Sequence, residues 1–169
     1  MNNDLNTNIR LAQKEDLPAL TEIYNQAIIN GGCTADMDTF TVEERLPWFE
    51  SHQNEMYPLY VYTIDEKIVA YVHLSGYRPG RRAMKHVAEV SYYVHSDYHG
   101  QHIGSALLSF AIEKARELGL KTILAILLGC NNKSIGLLEK YKFEKWGLLP
   151  DIADFDGKIC SHLYYGLKI

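Results

Sequence analysis

Between Val87 and Leu128 the chain changes its periodicity twice. Val87 to His95 is rich in β-branched and aromatic residues (Val90, Tyr92, Tyr93, Val94), the composition of a strand. Ser96-Asp97-Tyr98-His99-Gly100-Gln101 breaks that pattern with polar and small residues and reads as a loop. From His102 onward, Ile103, Ala106, Leu107, Phe110, Ala111, Ala115 and Leu118 recur at helical spacing, and Gly119 closes the helix. Thr122 to Leu128 is then a continuous apolar run, as a buried parallel strand should be. A strand, loop, helix and buried strand in this order call for helices layered on a sheet.

The flanking segments extend the same scheme. Ile9-Arg10-Leu11 is a short strand candidate. Asp16 is placed as the N-cap of a helix that starts at Leu17-Pro18, carries Leu20, Ile23, Tyr24, Ala27 and Ile28 on one side, and stops at Gly31-Gly32. Thr41-x-x-Glu44 has the form of a capping box before a second helix with Leu46, Trp48 and Phe49. Leu59 to Ile64, a turn at Asp65-Glu66-Lys67, and Ile68 to Leu74 form a β-hairpin by pattern. Gly76 to Lys85 is a basic loop. After the central block, Asn131 to Tyr141 reads as a helix, and Phe143 to Leu149 and Lys158 to Leu167 read as strands around Phe155-Asp156-Gly157. The expected order is β-α-α-β-β-β-α-β-α-β-β, a mixed α/β (α+β) sheet flanked by helices.

Composition narrows the function classes. The 169 residues show no internal repeat and no Pro/Gly/Ser-rich linker, so one domain spanning 1–169 is expected, and 47% hydrophobic content suffices for a core. A net charge of −4 argues against a nucleic-acid partner. No apolar stretch reaches the roughly 18 residues of a membrane span, and the polar start Met1 to Asn8 has no apolar segment of a signal peptide. The expectation is a cytoplasmic protein without a membrane partner. Cys33, Cys130 and Cys160 are far apart and form no CxxC pair, so they read as reduced thiols.

The loop before the central helix is where chemistry concentrates. The first turn of a helix has unpaired N–H groups and the positive end of the macrodipole. Gly100 and Gly104 leave the backbone there open to a ligand, so the segment reads as an anion site that a pyrophosphate would fit. Plain turn chemistry explains the two glycines equally well.

His99-Gly100-x-His102-Ile103-Gly104 resembles the acetyl-CoA loop of the GNAT N-acetyltransferases, Arg/Gln-x-x-Gly-x-Gly/Ala. Asn131-Asn132-Lys133-Ser134-Ile135-Gly136-Leu137-Leu138-Glu139-Lys140-Tyr141-Lys142-Phe143 resembles the family's second block, Asn-x-x-Ser-x-x-Leu-(Tyr/His)-Glu-x-x-Gly-Phe. Ile23-Tyr24-Asn25, Glu44-Arg45-x-x-Trp48-Phe49, Glu89-Val90-Ser91-x-Tyr93-Val94 and Phe155-Asp156-Gly157-Lys158 are similar to the phosphinothricin-type branch, over nearly the whole chain from Ile9 to Ile169. The resemblance implies a GNAT acyl-CoA N-acyltransferase fold. It implies an enzyme that moves the acetyl group of acetyl-CoA onto the amine of a small amino-acid-like substrate such as phosphinothricin or methionine sulfone or sulfoximine. It also implies a homodimer. Acetyl-CoA would be held by Tyr92, Tyr93 and Val94 of the strand, by His99, Gly100, Gln101, His102, Ile103, Gly104 and Ser105 of the loop and first turn, and by Asn131 and Ser134 of the second block.

The chain departs from the pattern at four places: His99 for Arg/Gln, His102 for the middle Gly, Leu138 for Tyr/His, and Lys142 for the Gly before Phe143. Backbone donors survive the first two, although His102 is strained if its φ is positive. Leu138 cannot protonate a leaving thiolate as the family's tyrosine does.

The transfer needs a base, because an amine with a pKa near 10 is mostly protonated at neutral pH. Glu89, a carboxylate on an apolar and aromatic strand, has the environment to raise its pKa, and the matching glutamate of the phosphinothricin-type enzymes is their proposed base. The alternatives are a structural carboxylate or an ion-pair partner of His86 or Lys85. A backbone N–H near Tyr93 or Val94 is the expected oxyanion donor. The general acid is Tyr141, one turn after Leu138, or water, with packing as the alternative role of Tyr141. Asn131 is equally an N-cap. Arg78, with Arg81 or Arg82, would grip the substrate's acid group bidentately, unless these arginines only solvate the loop. His95, His99 and His102 have a spacing that could suit zinc, but they lie in a loop running into a helix and no further ligand is evident except Asp97, so no metal is expected. Two other functions stand beside the enzyme: a non-catalytic acyl-CoA sensor, and an acetyltransferase acting on protein N-termini or lysines.

Overall fold

The computed structural model describes residues 8–169, so the polar start Met1 to Thr7 lies outside the described residues. The elements are β1 (Ile9–Leu11), α1 (Leu17–Asn30), α2 (Val42–Ser51), β2 (Leu59–Ile64), β3 (Lys67–Gly76), β4 (Val87–Val94), α3 (Ile103–Glu117), β5 (Thr122–Leu128), α4 (Asn132–Lys140), β6 (Glu144–Phe155) and β7 (Lys158–Lys168). Their order is the expected one. The described strands make one sheet in the order β1-β2-β3-β4-β5-β7-β6. Only β4 and β5 run parallel, joined by the α3 crossover; the other neighbours are antiparallel. Among the described residues no helix is long and apolar enough to cross a membrane.

Local chemistry sets the ends. Thr41 and Glu44 cap α2 reciprocally: Thr41 Oγ1 accepts from the Glu44 N–H at 3.2 Å, and Glu44 Oε2 accepts from the Thr41 N–H at 2.8 Å. Pro18 stands in the first turn of α1, where a missing N–H costs nothing. Asp16 does not cap that helix with its side chain. Its carboxylate accepts instead from Arg10 at 2.6 and 2.9 Å and from the Gln13 N–H at 2.7 Å. A charge-assisted bidentate pair outbids a neutral helix-end N–H for the same oxygens. The second departure is β6, which runs past the expected Leu149 to Phe155; its register slips between Leu149 and Ala153, around Pro150, and then resumes. Asp156 and Gly157, at φ 52 and 99, close the β6–β7 hairpin in the left-handed geometry that two-residue turns favour.

The core lies on both faces of the sheet. On one, α1 and α2 pack Leu20, Ile23 and Phe49 against Leu59, Val61 and Tyr71. On the other, α3 and α4 pack Leu107, Leu108, Ala111 and Leu138 against Val72, Val90, Ile123 and Phe143. Strand alternation puts Glu89, Ser91 and Tyr93 on the first face and Val90 and Tyr92 on the second.

Candidate active site

β4 and β5 are joined only at one end. Their register runs Val87↔Thr122, Ala88↔Ile123, Glu89↔Leu124 and stops there, although each strand continues for several residues. The chain thus opens a fork whose crotch is Glu89. The His86 carbonyl accepts from the Thr122 N–H at 3.2 Å, whereas the Tyr77 N–H donates to Val87 O and the His95 N–H to Val69 O. Even-numbered peptides of β4 therefore face β5, and odd-numbered ones face β3. Past the crotch, the N–H groups of Tyr92 and Val94 look into the fork with no strand opposite. The Tyr93 peptide turns toward β3, so of the two expected oxyanion donors only Val94 is placed to serve.

The fork leads to the start of α3. His99 folds back so that its Nε2 meets Val94 O at 2.9 Å, and Gly100 and His102 adopt φ 78 and 61. The first amide to bond into the helix is Ala106, to His102 O at 3.1 Å; the N–H groups from Gly100 to Ser105 have no acceptor among the described residues. His102 is the N-cap but gives no side-chain cap. Six unpaired N–H groups at the positive end of a 15-residue helix are a site for an anion. Gly104 keeps the backbone bare: a Cβ there would come within 3.4 Å of Leu137 and 3.8 Å of Tyr92. On the far side of the fork, Asn131 Oδ1 accepts from the Ser134 N–H at 3.2 Å and caps α4, and the Tyr92 hydroxyl is buried without a partner. An anion cradle, an unpaired strand edge and an orphaned hydroxyl in line suit an extended ligand with phosphates at one end, as acetyl-CoA is.

Glu89 is partly buried and makes no hydrogen bond or ion pair with any described residue, so neither His86 nor Lys85 is its partner. Burial pushes its pKa up from the usual carboxylate range. On the same face, toward β5 and β7, an open pocket of about 430 Å³ is walled by Tyr77, Met84, Val87, Leu124, Trp146 and Tyr164. Glu89 stands at its edge, beside Val87 on its own strand and Leu124 across the ladder. Arg78, Arg81 and Arg82 are exposed on the loop that supplies Tyr77 and Met84 to that wall.

The other expected residues are placed differently. Leu138 is 1% exposed in the core, so an aliphatic plug stands where the resemblance puts a hydroxyl. Tyr141 packs at the edge of the same core, and its hydroxyl donates to the Ser105 carbonyl at 2.9 Å and lies 2.7 Å from Ser105 Oγ, tying the end of α4 to the first turn of α3. Tyr93 packs edge-on against Tyr24 of α1, ring centroids 5.0 Å apart, and burial drives its hydroxyl pKa far up. His95 is held by Gln26 at 2.9 Å and by the Asp97 N–H at 3.2 Å, and no group of three metal-ligating side chains gathers among the described residues.

One cluster carried no role in the sequence reading. Arg45 Nε, the Tyr71 hydroxyl and His73 Nδ1 are all buried without a hydrogen-bond partner. The guanidinium lies 3.8 Å from the Trp48 ring and 4.2 Å from that of Tyr24, and no carboxylate pairs with it among the described residues. Burial, then the charges of His52 and Arg45, take His73 down to about 3, so it is neutral. The signal was present in Glu44-Arg45-x-x-Trp48-Phe49, but nothing in that spacing says the arginine is unpaired.

Comparison with known proteins agrees with this fold. The model of the acetyltransferase (GNAT) family matches residues 17–143. The Bacillus subtilis (strain 168) protein named "Putative phosphinothricin acetyltransferase YwnH" is 40% identical over 163 residues, 95% of each chain. An L-methionine sulfoximine/L-methionine sulfone acetyltransferase of Salmonella typhimurium is 31% identical over 145 residues, 86% of this chain and 84% of its own. The crystal structure of a GNAT superfamily phosphinothricin acetyltransferase (Pat) from Sinorhizobium meliloti in complex with AcCoA superposes with a TM-score of 0.89 at 26% identity, covering 95% of this chain and 87% of that one. The family match over most of the chain, on the fold that the forked strands and open helix start already define, makes this protein a member of the GNAT acetyltransferase family.

Proposed function

We propose that the protein acetylates the amine of a small amino-acid-like molecule of the phosphinothricin or methionine sulfoximine and sulfone type, with acetyl-CoA as donor. Acetyl-CoA supplies an activated acyl thioester. The observation that carries the reading is Glu89: a carboxylate without a partner, its pKa raised by burial, standing where the strands part and at the lip of the open pocket. The amides from Gly100 to Ser105 bind the phosphates, and the free edge of β4 with Asn131 and Ser134 guides the rest of the donor into the fork. The Val94 N–H is aimed where negative charge develops on an acyl oxygen. Glu89 takes the proton of the incoming ammonium, directly or through one water. Leu138 offers no proton and that of Tyr141 is engaged by Ser105, so water protonates the departing thiolate, a modest demand at a thiol pKa near 8.5. The arginine loop holds the acceptor's acid group. We place the enzyme in the cytoplasm, as a homodimer.

Free thiol released from acetyl-CoA across a panel of amines, methionine sulfone included, tests this. Glu89→Gln should lower turnover about 10²–10⁴-fold, the usual worth of a general base, while the Kd for acetyl-CoA stays put. The wild-type kcat/KM should fall as pH drops through a pKa above the ordinary carboxylate value, because only ionised Glu89 accepts a proton. The same raised pKa penalises the ionised form in the fold, so the Tm of Glu89→Gln at neutral pH should not fall. Leu138 favours a second reading, an acyl-CoA sensor; tight cofactor binding with no thiol release for any amine would select it.

A further inference from the structure

Three cysteines spread over the sequence come to one end of the sheet. β5 and β7 keep an unbroken antiparallel register from Thr122↔Lys168 to Leu128↔His162. One step on, the Gly129 N–H donates to the Ser161 carbonyl at 2.8 Å. That bond lies one residue past the last paired residues of the ladder, and Cys130 and Cys160 stand beside it on the two chains. Residues opposite one another across an antiparallel ladder have Cα atoms about 4.5–5.5 Å apart, and these two stand just beyond its end. Disulfides span about 4.4–6.8 Å between Cα atoms. Gly129 and Cys130 are the central residues of the turn that ends β5, the Asn131 N–H returning to Leu128 O at 3.0 Å. Cys160 is buried in β7 and Cys130 is exposed. Burial, then the neighbouring Cys160 thiol, raise the Cys130 pKa.

The third cysteine is close by but on a different footing. Cys33 follows Gly32 in the loop between α1 and α2, and a Cβ at Gly32 would lie 3.8 Å from Cys130 Sγ. No strand register holds that loop to β5 or β7. With no trio of metal ligands among the described residues, metal binding does not account for the cluster.

We propose that Cys130 and Cys160 form a redox-active dithiol that closes to an intramolecular disulfide between the ends of β5 and β7. A peroxide is the oxidant. The exposed Cys130 reacts through its thiolate fraction and attacks one peroxide oxygen; an S–O bond forms, the O–O bond breaks, and the displaced hydroxide leaves as water with the Cys130 proton, giving a sulfenic acid. The Cys160 sulfur then attacks that of Cys130. The S–S bond forms, the S–O bond breaks, and the hydroxyl departs as water with the Cys160 proton. Two thiols lose two electrons and two protons, and one hydrogen peroxide becomes two waters. The cross-link closes a loop from Cys130 to Cys160 and removes freedom from the unfolded chain, worth roughly 5–10 °C in Tm for a protein of this size.

The full chain is treated with hydrogen peroxide, its remaining thiols are blocked with iodoacetamide, and a non-reducing digest is read by mass spectrometry. The expected product is a peptide pair joined through Cys130 and Cys160 within the monomer band, with Cys33 alkylated. The Tm rises and dithiothreitol reverses the rise. Cys33→Ser should behave as wild type, and Cys130→Ser and Cys160→Ser should show no shift. If the buried Cys160→Ser fails to fold, the exposed Cys130→Ser carries that arm alone. A link through Cys33, a link only between chains, or over-oxidised Cys130 beside alkylated Cys160 would overturn the proposal.

Discussion

Lys142 holds a conformation that lysine adopts at a cost. Its φ is 67, one residue past the C-cap of α4. The Lys142 N–H bonds to Glu139 O and the Phe143 N–H to Leu138 O, each at 3.0 Å, the paired bonds of a Schellman end, with Phe143 and Leu138 meeting in the core behind it. This position favours glycine, which the family pattern has there. Lys142→Gly should raise unfolding free energy by about 0.5–1.5 kcal/mol, the αL cost of an L-residue less the extra freedom glycine gives the unfolded chain; urea denaturation measures it, and a loss of stability would refute the assignment of strain. His102, at φ 61, repeats the situation in the acetyl-CoA loop. The strain at His102 was legible in the sequence, and Lys142 stood out there as a departure, because a missing glycine in a glycine pattern announces the backbone it must supply. Asp16 was not: a cap is a local inference, and the partner that claimed its carboxylate is six residues back on another element.

At the scale of elements, the start of α3 carries a net of unpaired donors, and its sign is testable without touching any of them. Gln101 is exposed in the loop, next to the helix start. Gln101→Glu places a negative charge within several ångströms of a bound diphosphate, worth about 1 kcal/mol near a surface, or about five-fold weaker acetyl-CoA binding at low salt. Calorimetry at low and high ionic strength checks it, since the difference should shrink with screening. An unchanged Kd at low salt would mean the phosphates lie elsewhere. The helices and strands were readable because caps, glycines and periodicity are local. The fork was not. The apolar run Thr122–Leu128 marks a buried strand, but where its pairing with β4 ends is decided by packing, so Glu89 as the crotch emerges only in three dimensions. The unpaired Arg45 was hidden for the same reason: a sequence shows a charge and not its missing partner.

For the whole molecule, the two halves of the sheet are finished differently. α1 and α2 bury Leu59, Val61 and Tyr71 on one side, yet the β6–β7 arm leaves Trp146 at 44%, Leu148 at 50%, Ile152 at 58% and Ile159 at 50% exposure. Four large apolar residues on a long terminal hairpin exceed the scattered exposure that a monomer's surface tolerates, and such patches mark association. β6 is also an edge strand, with backbone groups free to meet another chain. The homodimer proposed above would use this arm, because it is a large apolar surface that none of the described helices covers. Sedimentation should then give twice the 19.3 kDa of one chain at micromolar concentration. Ile152→Lys and Ile159→Lys together put two charges into an interface that must be dry, and should return the protein to one chain's mass while leaving its circular dichroism intact. Both positions are exposed in the isolated fold, so their loss costs the monomer little. A wild-type protein that sediments at 19.3 kDa, or a double variant that stays dimeric, would remove the arm from the assembly.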